Sequence, residues 1–181
     1  MFKIFLGILL LGGNNLSCSP ESFSQMSGKV IKIVDGDTYD LLLKNNTTIR
    51  IRMAGIDAPE KGMPFYKVAK DYLGKLCFGK QIHLEIIEKD RYGRYIAYSF
   101  LENRTELSHE MIKGGMAWHF KKYSSDAVLS SLEIAARKSK LGLWADENPM
   151  PPWENRRMHK KSTRIFANKN DSSLSSESVA R

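Results

Sequence analysis

Apolar and polar residues alternate along Ile49-Arg50-Ile51-Arg52-Met53, so Ile49, Ile51 and Met53 share one face of a strand and Arg50 and Arg52 the other. Comparable runs predict strands over 29–35, 38–43, 48–53, 81–89 and 95–101, with a shorter extended piece near 116–120. Between them the period lengthens. Tyr66, Ala69, Tyr72, Leu73 and Leu76 recur at helical spacing before Gly79. A second, short helix is expected from about Ser108 to Lys113, stopped by Gly114-Gly115. A third starts near Ser124 or Ser125 and turns Val128, Leu129, Leu132, Ala135 and Ala136 inward, until Leu141-Gly142-Leu143-Trp144 ends it.

Five antiparallel strands with three interleaved helices make an α+β domain, expected over residues 28–148, and fit a small five-stranded barrel of the OB type. Faces of such barrels often hold single-stranded nucleic acid by pairing a basic groove with aromatic stacking. Trp118, Phe120 and Tyr123, interleaved with His119, Lys121 and Lys122, are the stacking candidates, although a place in the core suits Trp118 equally well.

Three short pieces carry residues that this architecture does not require. Asp35-Gly36 between apolar runs is a hairpin turn signal, but the turn has no use for Asp37. Asp57-Ala58-Pro59-Glu60 has the form of a helix start, yet Gly62 and Pro64 would fall inside that helix and allow at most one turn. Asp90-Arg91-Tyr92-Gly93-Arg94 makes a hairpin corner, which accounts for Gly93 and leaves Arg94 unexplained.

In this order and spacing the pieces resemble the thermonucleases, the staphylococcal-nuclease-like calcium-dependent nucleases, over residues 28–148. The resemblance implies an OB barrel with three helices. It implies Ca²⁺ ligands at Asp37, at Asp57 and at the backbone carbonyl of Ala58, where many members have threonine and only the main-chain oxygen is used. It implies catalytic roles for Arg52, Glu60 and Arg94, and cleavage of DNA and RNA that leaves a 3′-phosphate and a 5′-hydroxyl. Aromatics near residue 120 contact a base in the family, and Arg91 and Tyr92 are further candidates for touching the sugar-phosphate chain.

The same residue types suit that chemistry on physical grounds. A phosphodiester repels nucleophiles and hydroxide is scarce at neutral pH, so a catalyst must neutralise charge and activate water. Carboxylates, a carbonyl and water suit Ca²⁺, which takes roughly six to eight oxygen ligands in loose geometry. Glu60, not needed as a ligand, can orient or deprotonate the attacking water. Arg52 and Arg94 offer planar forks that match phosphate oxygens, while Arg50 reads as a solvated neighbour. His83, His109, His119 and His159 are scattered and form no zinc spacing.

Composition changes this picture little. The chain has 181 residues, 42% of them hydrophobic, a net charge of +8 and an isoelectric point near 9.5, which suits a polyanionic partner. Residues 28–148 hold 20 Lys and Arg against 16 Asp and Glu, and residues 149–181 hold 7 against 3, so half of the surplus lies outside the domain.

The two ends read differently. Lys3 and the apolar stretch 4–11 form an export signal over residues 1–17. Asn15-Leu16-Ser17-Cys18 resembles a lipobox with its leucine one position late, so Cys18 is expected to carry lipid, with 18–27 as linker. Ordinary secretion is the other outcome. Cys77 is then left alone, as a buried apolar side chain. Residues 149–181, basic and then rich in serine, read as a flexible tail. The expected function is that of a monomeric, exported, Ca²⁺-dependent nuclease preferring single-stranded or unpaired substrate. The other reading is a catalytically inactive OB-fold nucleic-acid-binding module at the cell envelope.

Overall fold

A computed structural model describes residues 25–161. The expected signal, the lipid site at Cys18 and the Ser-rich end of the chain lie outside the described residues. The strands are β1 (Gln25–Ile33), β2 (Thr38–Leu43), β3 (Thr48–Met53), β4 (Ile56–Asp57), β5 (Gln81–Lys89), β6 (Tyr95–Leu101) and β7 (Trp118–His119). The helices are α1 (Tyr66–Cys77), α2 (Leu107–Lys113), α3 (Ala127–Lys138) and α4 over 152–161, with a single 3₁₀ turn at Gly142–Ala145.

β1, β2, β3, β6 and β5 close into a five-stranded barrel, and β4 pairs with β7 beside it. The expected OB-type α+β architecture is therefore present, with two differences. β3 and β6 run parallel, with Ile51 opposite Tyr95, so the barrel is mixed rather than antiparallel throughout. A fourth helix, α4, lies in the stretch expected to be tail. β1 also starts at Gln25, inside the expected linker, and pairs there with Glu85 of β5.

The alternation in β3 does what it predicts: Ile51 and Met53 are buried, and Arg50 points outward into an ion pair with Asp40 at 2.7 Å. Register shifts between Val30 and Lys32 and between Ile86 and Glu88 turn Ile31 and Ile87 out to solvent, as an inserted residue does when it bends a strand into closure. Inside, Tyr39, Leu41, Ile51, Ile82 and Leu84 meet Leu73 of α1 and Met111 of α2. The Tyr39 hydroxyl donates to Ser99 Oγ at 2.9 Å, and burial pushes its phenol far above the ordinary range.

α3 is capped by Asp126, whose carboxylate accepts from Val128 N and Leu129 N, rather than by Ser124 or Ser125. Its inward face is Leu129, Glu133 and Ala136; Val128 and Ala135 are exposed, contrary to the apolar reading. Glu133 is tolerated on that face because its carboxylate is partnered: it accepts from His119 N at 3.2 Å and pairs with the exposed Lys121 and Arg137 at the rim. Cys77 is buried as expected, with burial raising its thiol to about 12.

Candidate active site

The site forms where β2, β3 and β4 meet. Thr38 pairs with Arg52 across β2 and β3, and Met53 N donates to Asp37 O at 2.9 Å, so Asp37 and Arg52 are neighbours by register alone. Gly36 does not take the positive φ of a tight Asp-Gly hairpin turn. Its role is close approach, because a Cβ there would lie 2.8 Å from Ala58 Cβ and 3.0 Å from Ala69 Cβ. The loop from Asp35 to Asp37 therefore lies directly against the segment after β4. β4 in turn is held by β7, with Asp57 opposite Trp118.

Arg52 ties these parts together. Its Nη1 donates to Met53 O at 2.8 Å and to Ile56 O at 2.9 Å, its Nη2 to Asp57 Oδ1 at 3.0 Å, and its Nε lies 3.2 Å from Asp37 Oδ1. One guanidinium thus spans two nearly buried carboxylates. Asp37 also accepts from Thr38 Oγ1 at 2.9 Å and from Ala58 N at 2.7 Å.

Negative charge is crowded here. Burial, together with the neighbouring Asp37, pushes Asp35 up to about 7. Burial also raises Asp57, reinforced by Asp37 and opposed by Arg156 and Arg52. Buried carboxylates with too little compensating charge favour a bound cation or a proton.

Glu60 follows in a turn closed by Met63 N on Glu60 O at 2.9 Å. No helix starts at Asp57; α1 begins only at Tyr66, after Phe65 in the left-handed region, as the positions of Gly62 and Pro64 demand. Across the cleft, Asp90 organises the β5–β6 corner. Its Oδ1 accepts from Tyr92 N and Arg94 N, and its Oδ2 holds the Arg94 guanidinium at 2.8 Å. Arg94 therefore faces the cleft with its fork on Asp90 and not on the other acids. Arg91 and Arg94 both lie near the ring of the exposed Tyr92, 4.9 and 5.6 Å from its centroid.

A cavity of about 1110 Å³ gathers Asp37, Arg52, Asp57, Ala58, Glu60 and Arg94, and Arg91, Tyr92, Phe120 and Tyr123 also line it. Trp118 does not. It is 3% exposed and packs edge-on against Trp144 at 5.6 Å, so it is a core residue and cannot stack a base. Phe120 is half-buried, and Tyr123, 72% exposed, is the most open of these three aromatics to a ligand.

Comparison with known proteins gives the site a context. The family model described as staphylococcal nuclease homologue matches residues 50–146, more than half of the chain. An uncharacterized endonuclease of Haemophilus influenzae is 41% identical over 159 residues, covering 87% of this chain and 87% of its own length. A micrococcal nuclease of Shigella flexneri is 38% identical over 158 residues, covering 82% and 90%. The chain belongs to the staphylococcal nuclease family. A staphylococcal-like nuclease of Arabidopsis thaliana, 41% identical over 105 residues, shares 58% of this chain and 32% of its own length.

Membership makes the protein a nuclease acting on nucleic acid, of a family that generally depends on a metal. Among the described residues no group of three or more His, Cys, Asp or Glu is arranged to hold a metal ion. The fit rests instead on the donor set: two buried carboxylates and a main-chain carbonyl, completed by water and substrate, are hard oxygen ligands of the kind Ca²⁺ and Mg²⁺ accept.

One residue of this nuclease was hidden in the expected tail. Arg156 on α4 donates from Nη2 to Asp57 Oδ2 at 2.7 Å and from Nη1 to Glu60 Oε1 at 2.5 Å. α4 is held there by Trp153, stacked on Phe120 with centroids 5.2 Å apart and planes 3° from parallel. The available signal was Pro152 at the first helical position, followed by Trp153, Arg156, Arg157 and Lys160 at helical spacing.

Proposed function

We propose that this protein is a calcium-dependent endonuclease that hydrolyses DNA and RNA with little sequence preference, favours unpaired strands and leaves 3′-phosphate ends. The observation that carries this reading is the single cleft in which Arg52 spans Asp37 and Asp57 while Glu60 and Arg94 stand on its walls. Asp37, Asp57 and the Ala58 carbonyl would hold the ion. When bound, Ca²⁺ supplies positive charge that neutralises the phosphate and acidifies water.

The chain's own residues do the rest. Glu60, partly exposed to the cleft, takes a proton from the attacking water. Arg52 meets the phosphate oxygens from the floor of the cleft, fixed by its bonds to Met53 O and Ile56 O. Arg94 approaches from the opposite wall and stabilises the charge that builds as the bond to the 5′ oxygen breaks. That oxygen leaves with a proton from solvent.

In this reading the protein works as a monomer outside the cytoplasm, exported by residues 1–17 and held at a membrane by lipid on Cys18. Cleavage of single-stranded DNA by the purified protein, in Ca²⁺ and in chelator, with Glu60→Gln beside it, tests the central claim. Calcium-dependent cleavage lost in the variant by about 10²-fold or more supports it. Binding without cleavage in any divalent ion moves the protein to the inactive binding class.

A further inference from the structure

Trp153, Arg156, Arg157 and Lys160 occupy positions i, i+3, i+4 and i+7 of α4, which places them on one helix face, and all four line the active-site cavity. Two of them are accounted for. Trp153 docks the helix on Phe120, and Arg156 turns inward to Asp57 and Glu60. Arg157 and Lys160 are exposed, and among the described residues no acidic side chain pairs with either. Facing this stripe is the loop after β7, where Lys122 lies over the ring of the exposed Tyr123, and Tyr123 meets Phe120 edge-on at 4.9 Å.

A cationic stripe continuous with a phosphodiester-cleaving cleft, beside an exposed aromatic ring, has the chemistry of a track for single-stranded nucleic acid. The cleavage step itself uses neither Arg157 nor Lys160. Both lie beyond residue 146, where the match to the family model ends.

We propose that α4 forms one bank of an extended substrate groove, in which Arg157 and Lys160 contact backbone phosphates flanking the scissile one. The inference rests on the nuclease reading for the identity of the occupant. It makes the C-terminal helix a binding element that favours long strands over short ones. Arg157 and Lys160 act on substrate grip and on its salt dependence.

The test measures binding of a labelled single-stranded oligonucleotide of about 12 nucleotides, within the span such folds cover, in chelator so that nothing is cleaved. Salt is varied from about 50 to about 200 mM. The double variant Arg157→Gln with Lys160→Gln is compared with Lys67→Gln with Lys75→Gln, which removes the same charge from exposed positions on α1. Equal melting temperatures of the two variants verify the fold.

Two lost phosphate contacts should make the slope of log affinity against log salt shallower by about 1.4, while the α1 variant keeps the wild-type slope. The ratio of kcat/KM on this oligonucleotide to that on a dinucleotide should fall in the groove variant, because a dinucleotide does not reach those contacts, and should stay unchanged in the α1 variant. Identical slopes for the two variants would overturn the proposal. So would loss of binding to phosphatidylserine vesicles with oligonucleotide binding intact, which would assign the face to a membrane. If the wild type binds the oligonucleotide but cleaves nothing in any divalent ion, the nuclease reading fails, and the slopes still decide the groove.

Discussion

Arg156 reaches Glu60 across 96 positions of sequence and, with its other nitrogen, holds Asp57 at 2.7 Å. A guanidinium from the last described helix thus bridges the expected general base and an expected metal ligand. Its own pKa is raised: burial works against the charge, but the bonds to Asp57 and Glu60 outweigh it.

Arg156→Gln leaves Asp57 with Arg52 as its remaining cation. The Glu60 arm of the bridge is partly exposed but Asp57 is buried, so losing Arg156 should cost about 2 kcal/mol in cation-free protein, lowering the melting temperature by about 4–8 °C. Calcium should then raise the midpoint of the variant more than that of wild type, because no guanidinium has to leave Asp57 before the ion binds. Equal calcium-induced shifts in thermal unfolding would show that Arg156 and the ion do not compete.

Asp90 gives a pH dependence with a definite sign. Slight burial pushes its carboxyl up, but the Arg94 N–H and guanidinium, with the Tyr92 N–H, outweigh this and hold its pKa below 3.8. A depressed carboxyl contributes stability above its unfolded pKa and loses it as pH falls through the folded one. Asp90→Asn should therefore be less stable than wild type at pH near 7 and equal to it in strong acid. Denaturant unfolding followed against pH reads the difference; a gap that persists below both pKa values would mean that the corner depends on shape and not on charge.

Much of this was legible in the chain because the signals are local. A period of two needs only neighbouring residues, so β2, β3, β5 and β6 fall within their expected bounds. The cleft residues were legible for another reason: Asp37 and Arg94 exceed what their turns ask for, and with Asp57 to Glu60 they stand in the order and spacing of the family that the chain resembles. What stayed hidden is non-local. Whether β3 and β6 run parallel depends on how the barrel closes, and both pairings give the same alternation within each strand. Trp118 and Tyr123 differ only in what packs on them, and α4 shows one aromatic in a basic stretch, too little apolar surface to betray a docked helix.

Trp118 and Tyr123 should part company on mutation. Trp118→Ala removes a buried ring from its contact with Trp144 and should destabilise the protein by about 3–5 kcal/mol. Tyr123→Ala should leave stability within about 0.5 kcal/mol and weaken single-stranded DNA binding by about 1–3 kcal/mol. Chemical denaturation and oligonucleotide titration on the same two variants separate core from contact, and unaltered DNA binding by Tyr123→Ala would remove it from the substrate site.

Gly36 and Ala58 form a close joint in the site. A methyl group on Gly36 would meet Ala58 Cβ at 2.8 Å and Ala69 Cβ at 3.0 Å, so Gly36→Ala must push the Asp35–Asp37 loop off the segment after β4. Overpacking of this kind costs about 1–3 kcal/mol. The larger effect should be on catalysis, because the shift stretches the 2.7 Å bond from Ala58 N to Asp37 Oδ2 and moves Asp37 relative to Asp57. A displacement near 1 Å in such a constellation can cost about 100-fold in rate. Adding Ala58→Gly removes the nearer of the two obstructing methyl groups and should restore part of both losses, a coupling that a double-mutant cycle measures directly. Additive effects of the two substitutions would show that the contact between these residues does not set the position of Asp37.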